Sequence, residues 1–275
     1  MRKNIFNRIR CLFSKDKILV LSGWWFRWFY TIWVLKWLEE LGLDKNIKAV
    51  FWVSIWAIVW SLRASGKKAD EIYDLLSAMT LWKFYSNDIF KKTWWLLSNK
   101  KIQELIEQHI PASFSDLEKK LYIWVTDTNT AQYHLFSSGD LQKIVLGSMS
   151  IPWAFPPVKY KNHCLVDWWL LNNFPVDLAK KIYPFNKIIW IALNWFTKNQ
   201  KIETVKDNLL VSYEVIMRSK LLKNTEYVDI LFYREISMGV LSLDKEKMKK
   251  AYDMWYKDCM KKFSKQWKIN GKEIS

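Results

Sequence analysis

Glycine is missing where this chain most needs it. The 275 residues contain seven glycines and nineteen tryptophans, whereas average usage of about 7% would give roughly 19 glycines in a chain of this length. The deficit and the surplus are of similar size, so one exchange repairs both. Trp24, Trp25 and Trp28 in LSGWWFRW, Trp52 and Trp56 in FWVSIW, and Trp168 and Trp169 in VDWWLLNNFP stand in turns between apolar runs, where a sharp reversal favours a residue without a side chain. Tryptophan pairs do serve as core or interfacial anchors. An aromatic-rich protein, however, gives no reason for such pairs to recur between a strand-like run and a helix-like run. We read these positions as glycine codons of a gene in which UGA specifies glycine, rendered here as tryptophan, without requiring that all the tryptophans share this origin.

The length suits one large α/β domain, which we expect over 17–275, preceded by a basic arm at 1–16. The motifs described below fall within 17–194, and 195–275 completes the domain with helices and a strand. Lys and Arg number 43 against 27 Asp and Glu, a net charge of +16. Such an excess attracts nucleic acid or anionic lipid. Lysine far outnumbers arginine, however, as an AT-rich gene would produce without any ligand. Cys11, Cys164 and Cys259 have no paired spacing, and His109, His134 and His163 are scattered, so neither a disulfide framework nor a metal site is expected. The N-terminus MRKNIFNRIRCLFSKDK lacks the apolar core of a secretory signal. The apolar region 18–38 is interrupted by Arg27 and Lys36, and the run at 50–62 is shorter than the roughly 20 residues that span a bilayer. No transmembrane helix is expected.

KILVLSG (17–23) reads as a buried strand, and FYTIWVLKWLEELGL (29–43) has the apolar spacing of a helix. IKAVFWVS (47–54) and the apolar run from Ile55 to Leu62 repeat that order, and two strand-turn-helix units in succession predict a parallel sheet. Residues 67–120 read as mainly helical. LYIWVTDTN (121–129) and QYHLFSSGD (132–140) read as strands about a turn, LQKIVLGSMS as a helix, and IPWAFPPVKYKNHCLVD as a loop with a short hairpin. KIIWIALN (187–194) is a further strand. A helix near 203–222, a strand at 227–233 and a lysine-rich helix at 244–265 close the chain.

With glycine in place of tryptophan, FWVSIW becomes FGVSIG, a GxSxG centred on Ser54 between a strand and a helix. Such an elbow, Trp52, Val53, Ser54, Ile55 and Trp56, needs small flanking residues because it presents a serine hydroxyl at a helix N-terminus. SGWWFRW becomes SGGGFRG, a turn whose backbone N–H groups can face an anion. A nucleotide loop is disfavoured, since neither GxxxxGK[ST] nor GxGxxG after a strand is present. LVDWWLLNNFPV becomes LVDGGLLNNFPV, in which Asp167 could accept a proton from serine. His163 invites a Ser-His-Asp alternative. Ser148 and Ser150 are candidate nucleophiles that sit in no elbow and read as packing or capping residues, and Asp127 and Asp140 read as turn residues.

These motifs in order, with SMSIPWAFPPV between the second and the third, resemble the patatin-like phospholipase family from about Lys17 to Asn194. The likeness is nearest to the small bacterial members related to the catalytic domain of neuropathy target esterase. The resemblance implies an α/β fold with a mainly parallel central sheet flanked by helices, a nucleophile elbow at Ser54, and Asp167 as its base. It implies an oxyanion hole on Gly23, Trp24, Trp25 and Phe26, with Arg27 and Trp28 completing the motif, a DGG motif at Asp167, Trp168 and Trp169, and no cofactor. Serine becomes nucleophilic when a neighbouring base takes its proton. Free aspartate, with a pKa of about 3.9, is a weak base in water that burial strengthens.

The expected function is hydrolysis of phospholipid, lysophospholipid or simpler carboxylic esters. The expected setting is cytoplasmic, with peripheral contact to an anionic inner membrane surface. The alternative is a non-catalytic lipid- or partner-binding protein of the same fold. Nucleic-acid binding has charge in its favour but no motif and is not expected. The sequence leaves oligomeric state open.

Overall fold

The computed structural model describes residues 16–23, 28–40, 42, 44–52, 54–77, 98–152, 155–167 and 175–194, with parts of 202–235. The expected arm at 1–15 and the lysine-rich helix at 244–265 lie outside the described residues, and the helix near 203–222 is described only in part.

The first strand, β1 (Lys17–Gly23), lies at the middle of the sheet. Its run Ile18, Leu19 and Val20 is wholly buried, as a parallel strand covered on both faces must be. Alternation divides it, with Leu19 and Leu21 packing into the larger core and Ile18 and Val20 into the smaller one on the other face. The helix α1 (Trp28–Glu40) follows, and Ile32, Leu35 and Leu38 bury one stripe of it. Next come β2 (Ile47–Trp52) and α2 (Ile55–Ala64). From Trp56 to Leu62 every residue of α2 is at most 2% exposed, so this helix is apolar all round because it is enclosed all round.

Two amphipathic helices cover that side. In α3 (Ala69–Ser77), Ala69, Ile72 and Leu76 are buried, and in α4 (Lys100–His109), Ile102 and Ile106 are buried one turn apart. Glu71 accepts the Lys68 N–H at 2.7 Å and so satisfies a donor at the start of α3. Then come β3 (Lys120–Asp127), β4 (Gln132–Phe136), α5 (Leu141–Met149), β5 (Val158–Tyr160) and β6 (His163–Val166). The described elements end with α6 (Val176–Ile182), β7 (Ile188–Asn194) and β8 (Ile230–Glu235). Asp140, expected in a turn, caps α5 by accepting the Lys143 N–H at 2.9 Å.

The eight strands form one sheet in the order β5-β6-β3-β2-β1-β7-β8, with β4 also paired to β3. Neighbours from β3 through β8 on this path are parallel. β4 and β6 run antiparallel to β3, and β5 antiparallel to β6. The mixed α/β sheet and its mainly parallel centre are as the sequence predicts. The strand expected at 227–233 lies slightly later.

Candidate active site

Strand registers bring the catalytic candidates together. β2 pairs with β3 up to Trp52 opposite Ile123, and β6 meets the end of β3 in the opposite sense, with Leu165 opposite Asp127 and Val166 opposite Thr126. Counting on along these strands, Ser54 and Asp167 both arrive level with Val125. β6 therefore descends onto the sheet where β2 stops, and the two residues close the gap between them.

The Ser54 hydroxyl donates to Asp167 Oδ2 at 2.6 Å. Both residues are nearly enclosed, Ser54 at 7% and Asp167 at 2% exposure. Ser54 stands immediately before α2 with φ 64 and ψ −146, a conformation that side-chain-bearing residues adopt at a cost of about 1–3 kcal/mol. Its backbone is held from two sides: its N–H donates to Ser148 Oγ at 2.9 Å, and its C=O accepts the Ala57 N–H at 2.8 Å as α2 begins. Ser148 Oγ in turn donates to the Trp124 carbonyl at 3.3 Å. Asp167 is anchored by its own N–H, which donates to the Ser150 carbonyl at 2.8 Å. Ser148 and Ser150 thus hold the backbones of Ser54 and Asp167.

The strand β2 stops two residues short of the 47–54 that its sequence suggests. Trp52 is the last residue of β2 and Trp56 lies in the first turn of α2, which leaves only Val53 and Ser54 between the elements. Val53 lies outside the described residues, as does the side chain of Ile55. The Trp52 and Trp56 indoles turn into the core at 0% and 1% exposure. Trp52 packs on Trp56 at 6.3 Å and on Trp60 at 5.2 Å between ring centroids. The indole N–H groups of Trp52, Trp60 and Trp124 are buried without a hydrogen-bond partner.

Of the expected oxyanion loop, Trp24, Trp25, Phe26 and Arg27 lie outside the described residues, as do Trp168 and Trp169. The loop's anchors are described: Gly23 ends β1 and Trp28 begins α1. Because β1 and β2 are parallel neighbours, Gly23 stands at the same end of the sheet as Ser54. α2 also directs its N-terminus at Ser54, where a helix favours developing negative charge.

His163 is engaged away from the Ser54–Asp167 bond. Its Nδ1 lies 3.0 Å from Asp127 Oδ2, while the Ser54 hydroxyl bonds Asp167 directly. Asp127 corrects the sequence reading in part. It does organise a turn, through the Asn129 N–H at 3.0 Å and the Thr130 hydroxyl at 3.1 Å, but its side chain is fully buried and also accepts the Cys164 N–H at 2.9 Å. Burial alone would raise its pKa. The bonds from Cys164, His163, Asn129 and Thr130 overcome that and bring it down to about 2. Nothing in the local sequence distinguishes this aspartate from an ordinary turn former, because its partners come from other strands.

A family model for patatin-like phospholipases matches residues 19–180, a stretch that contains both Ser54 and Asp167. The chain is 28% identical over 183 residues to an uncharacterized protein of Acanthamoeba polyphaga mimivirus, covering 60% of this chain and 62% of that one. It is 28% identical over 194 residues to a protein of Invertebrate iridescent virus 6 named as a probable lipid hydrolase, covering 61% of this chain and 64% of that one. The match thus spans less than two thirds of the length of these relatives. Among solved structures, VipD from Legionella pneumophila shares the fold with a TM-score of 0.54 at 13% identity, over 90% of this chain and 67% of that one.

Proposed function

This chain belongs to the patatin-like phospholipase family, and from that premise we propose that it is a serine lipid acyl hydrolase working through a Ser54–Asp167 dyad. The observation that carries this reading is the 2.6 Å bond from the Ser54 hydroxyl to Asp167. It joins a nucleophile at a helix N-terminus to a carboxylate able to take its proton.

In this mechanism Ser54 Oγ attacks the ester carbonyl while its proton passes to Asp167. The N–H groups of the loop between Gly23 and Trp28 hold the tetrahedral oxyanion, where loss of one donor costs about 10²–10³ in rate in comparable sites. The C–O bond to the alcohol breaks, Asp167 protonates the departing oxygen, and the acyl group remains on Ser54. A water then gives its proton to Asp167 as it attacks the acyl-enzyme, and Ser54 regains its proton when the fatty acid leaves. The substrate class we assign is phospholipid, lysophospholipid or a simpler carboxylic ester.

The same proposal covers the tryptophans. A buried donor without a partner costs about 1–3 kcal/mol, and Trp52, Trp60 and Trp124 each carry one. The orphaned donor of Trp52 in the elbow supports reading that position as glycine, and Trp60 and Trp124 carry the same cost elsewhere. TGA codons are expected at positions 24, 25, 52, 56, 168 and 169, and TGG at those positions overturns this reading. We place the protein in the cytoplasm with peripheral contact to anionic membrane. In support, no helix among the described residues is long and apolar enough to cross a bilayer, and the net charge is +16.

The deciding experiment is ester and lysophospholipid hydrolysis by the chain carrying glycine at every UGA-encoded position. The Ser54→Ala variant should lose nearly all of the rate, and Asp167→Asn should lose about 10²–10⁴-fold, the range for a general base. The literal tryptophan chain is expected to be inactive. Undiminished hydrolysis by Ser54→Ala would remove Ser54 as nucleophile. A folded but inactive glycine chain would instead favour the non-catalytic binding role.

A further inference from the structure

The fold gathers two histidines and an aspartate that the sequence keeps far apart, and their surroundings are those of a metal site. Asp127 ends β3, the central strand of a three-strand corner, and it pairs with Gln132 of β4 on one side and Leu165 of β6 on the other. His134 faces Val125 across the β4 ladder, which sets it diagonally to Asp127 on the same face of the sheet. His163 lies two residues before Leu165 on β6 and shares that face for the same reason. Each flanking strand therefore brings one imidazole to the same carboxylate.

The donor atoms converge closely. Asp127 Oδ2, one nitrogen of His134 and one of His163 lie within 4.8 Å of one another. His163 Nδ1 is 3.0 Å from Oδ2, and His134 Nε2 is 3.7 Å from it. The second distance is too long for a hydrogen bond, and His134 Nε2 is buried with no hydrogen-bond partner. Two ligand atoms on a tetrahedral zinc ion, each bonded at about 2.1 Å, stand about 3.4 Å apart, and the two observed separations fall on either side of that value.

The carboxylate is also oriented for such a role. Its Oδ1 takes the Asn129 and Cys164 N–H groups, at 3.0 and 2.9 Å, which leaves Oδ2 turned to the imidazoles and the Thr130 hydroxyl. Backbone donors of this kind fix a ligand's direction in metal centres. Both rings are partly exposed, at 31% for His134 and 27% for His163, so an ion has a way in.

We propose that Asp127 Oδ2, His134 Nε2 and His163 Nδ1 form a binding site for a divalent transition metal of the zinc class, with water completing the coordination. The donor set, two imidazoles and one carboxylate, suits zinc better than calcium or magnesium, which take oxygen ligands. An ion there would replace the direct contact between His163 Nδ1 and Asp127 Oδ2. The ion ties β4, β3 and β6 together at the corner from which β6 runs on to Asp167. The site lies one pleat, about 7 Å, beyond the level of Val125 at which the dyad closes. Its role is that of a clamp on the strand carrying the catalytic base, and it takes no part in the acyl transfer.

The ligands include no tryptophan, so the test applies to the full chain under either reading of those codons. Titration with Zn²⁺ alone should show one ion per chain and raise Tm by about 5 °C or more at a hundredfold excess over Kd. Co²⁺ should give the visible absorption of a low-coordinate nitrogen and oxygen site. His134→Gln and His163→Gln should each weaken Zn²⁺ binding at least tenfold, about the loss seen on disturbing a metal's surroundings, while His109→Gln should leave it unchanged. His134 lies on a solvent-accessible strand, so its variant tests the site even if His163→Gln fails to fold. Absence of binding by the wild-type chain, or equal binding by His134→Gln, overturns the proposal and leaves the Ser54–Asp167 reading untouched.

Discussion

Ser54 holds a positive φ that its neighbours must enforce, and the enforcing contact is the bond from its N–H to Ser148 Oγ at 2.9 Å. Ser148→Ala removes that acceptor from a buried donor, a change worth about 1–3 kcal/mol. The expected outcome is a lower Tm together with a fall in kcat larger than any change in KM, since the hydroxyl of Ser54 would be misdirected while the lipid contacts remain. Steady-state kinetics on the glycine-bearing chain decide it, and an unchanged kcat would show that the elbow holds itself. Ser54 was legible because an elbow demands small residues at fixed offsets around a serine. Ser148 was legible only as a residue that packs, since nothing in LQKIVLGSMS marks which serine faces another element. Asp127, His134 and His163 were illegible as a group. Ladder register alone brings them together.

Gly147 explains how α5 reaches the site. A Cβ built on it would stand 2.7 Å from the Leu165 Cβ, so the helix lies directly against β6 and carries Ser148 and Ser150 up to Ser54 and Asp167. Gly147→Ala should push the helix away and cost about 1–3 kcal/mol, as overpacking does. Activity should fall along with the denaturation midpoint, because helix and strand each position part of the dyad. A variant as stable and active as the parent would mean that α5 can shift freely. The elements themselves were largely readable. β1, β2 and β7 appear as short apolar runs because parallel strands are buried on both faces, and α3 and α4 show helical spacing because only one stripe of each is covered. The descent of β6 onto the end of β3 was not readable, since hairpin signals fix the partner of β5 but not the strand beside which the hairpin lies.

Across the whole molecule, charge is used sparingly inside. Arg63 of α2 pairs with Glu39 of α1 at 2.9 Å and with Asp44 before β2 at 2.5 Å, joining three segments below the sheet. Burial raises the Glu39 pKa above the usual carboxylate value, against the lowering effects of the Ala69 N–H and Arg63. From about pH 4.3, the ordinary glutamate value, the native state keeps a proton that the unfolded chain has lost. Stability therefore falls as pH rises through that window and levels off once the native carboxyl ionises as well. Glu39→Gln should lack this decline, and urea midpoints from about pH 4 upward would show it; parallel curves for the two proteins would count against it. The sheet's central strand has another consequence. Ile18 of β1 pairs with Ile188 of β7, so until residue 188 and those after it have been synthesised, one flank of this wholly buried strand has no partner. An exposed edge of that kind recruits other chains. Nascent protein should depend on chaperone protection until β7 has emerged, and fragments ending before Ile188 should accumulate in the insoluble fraction.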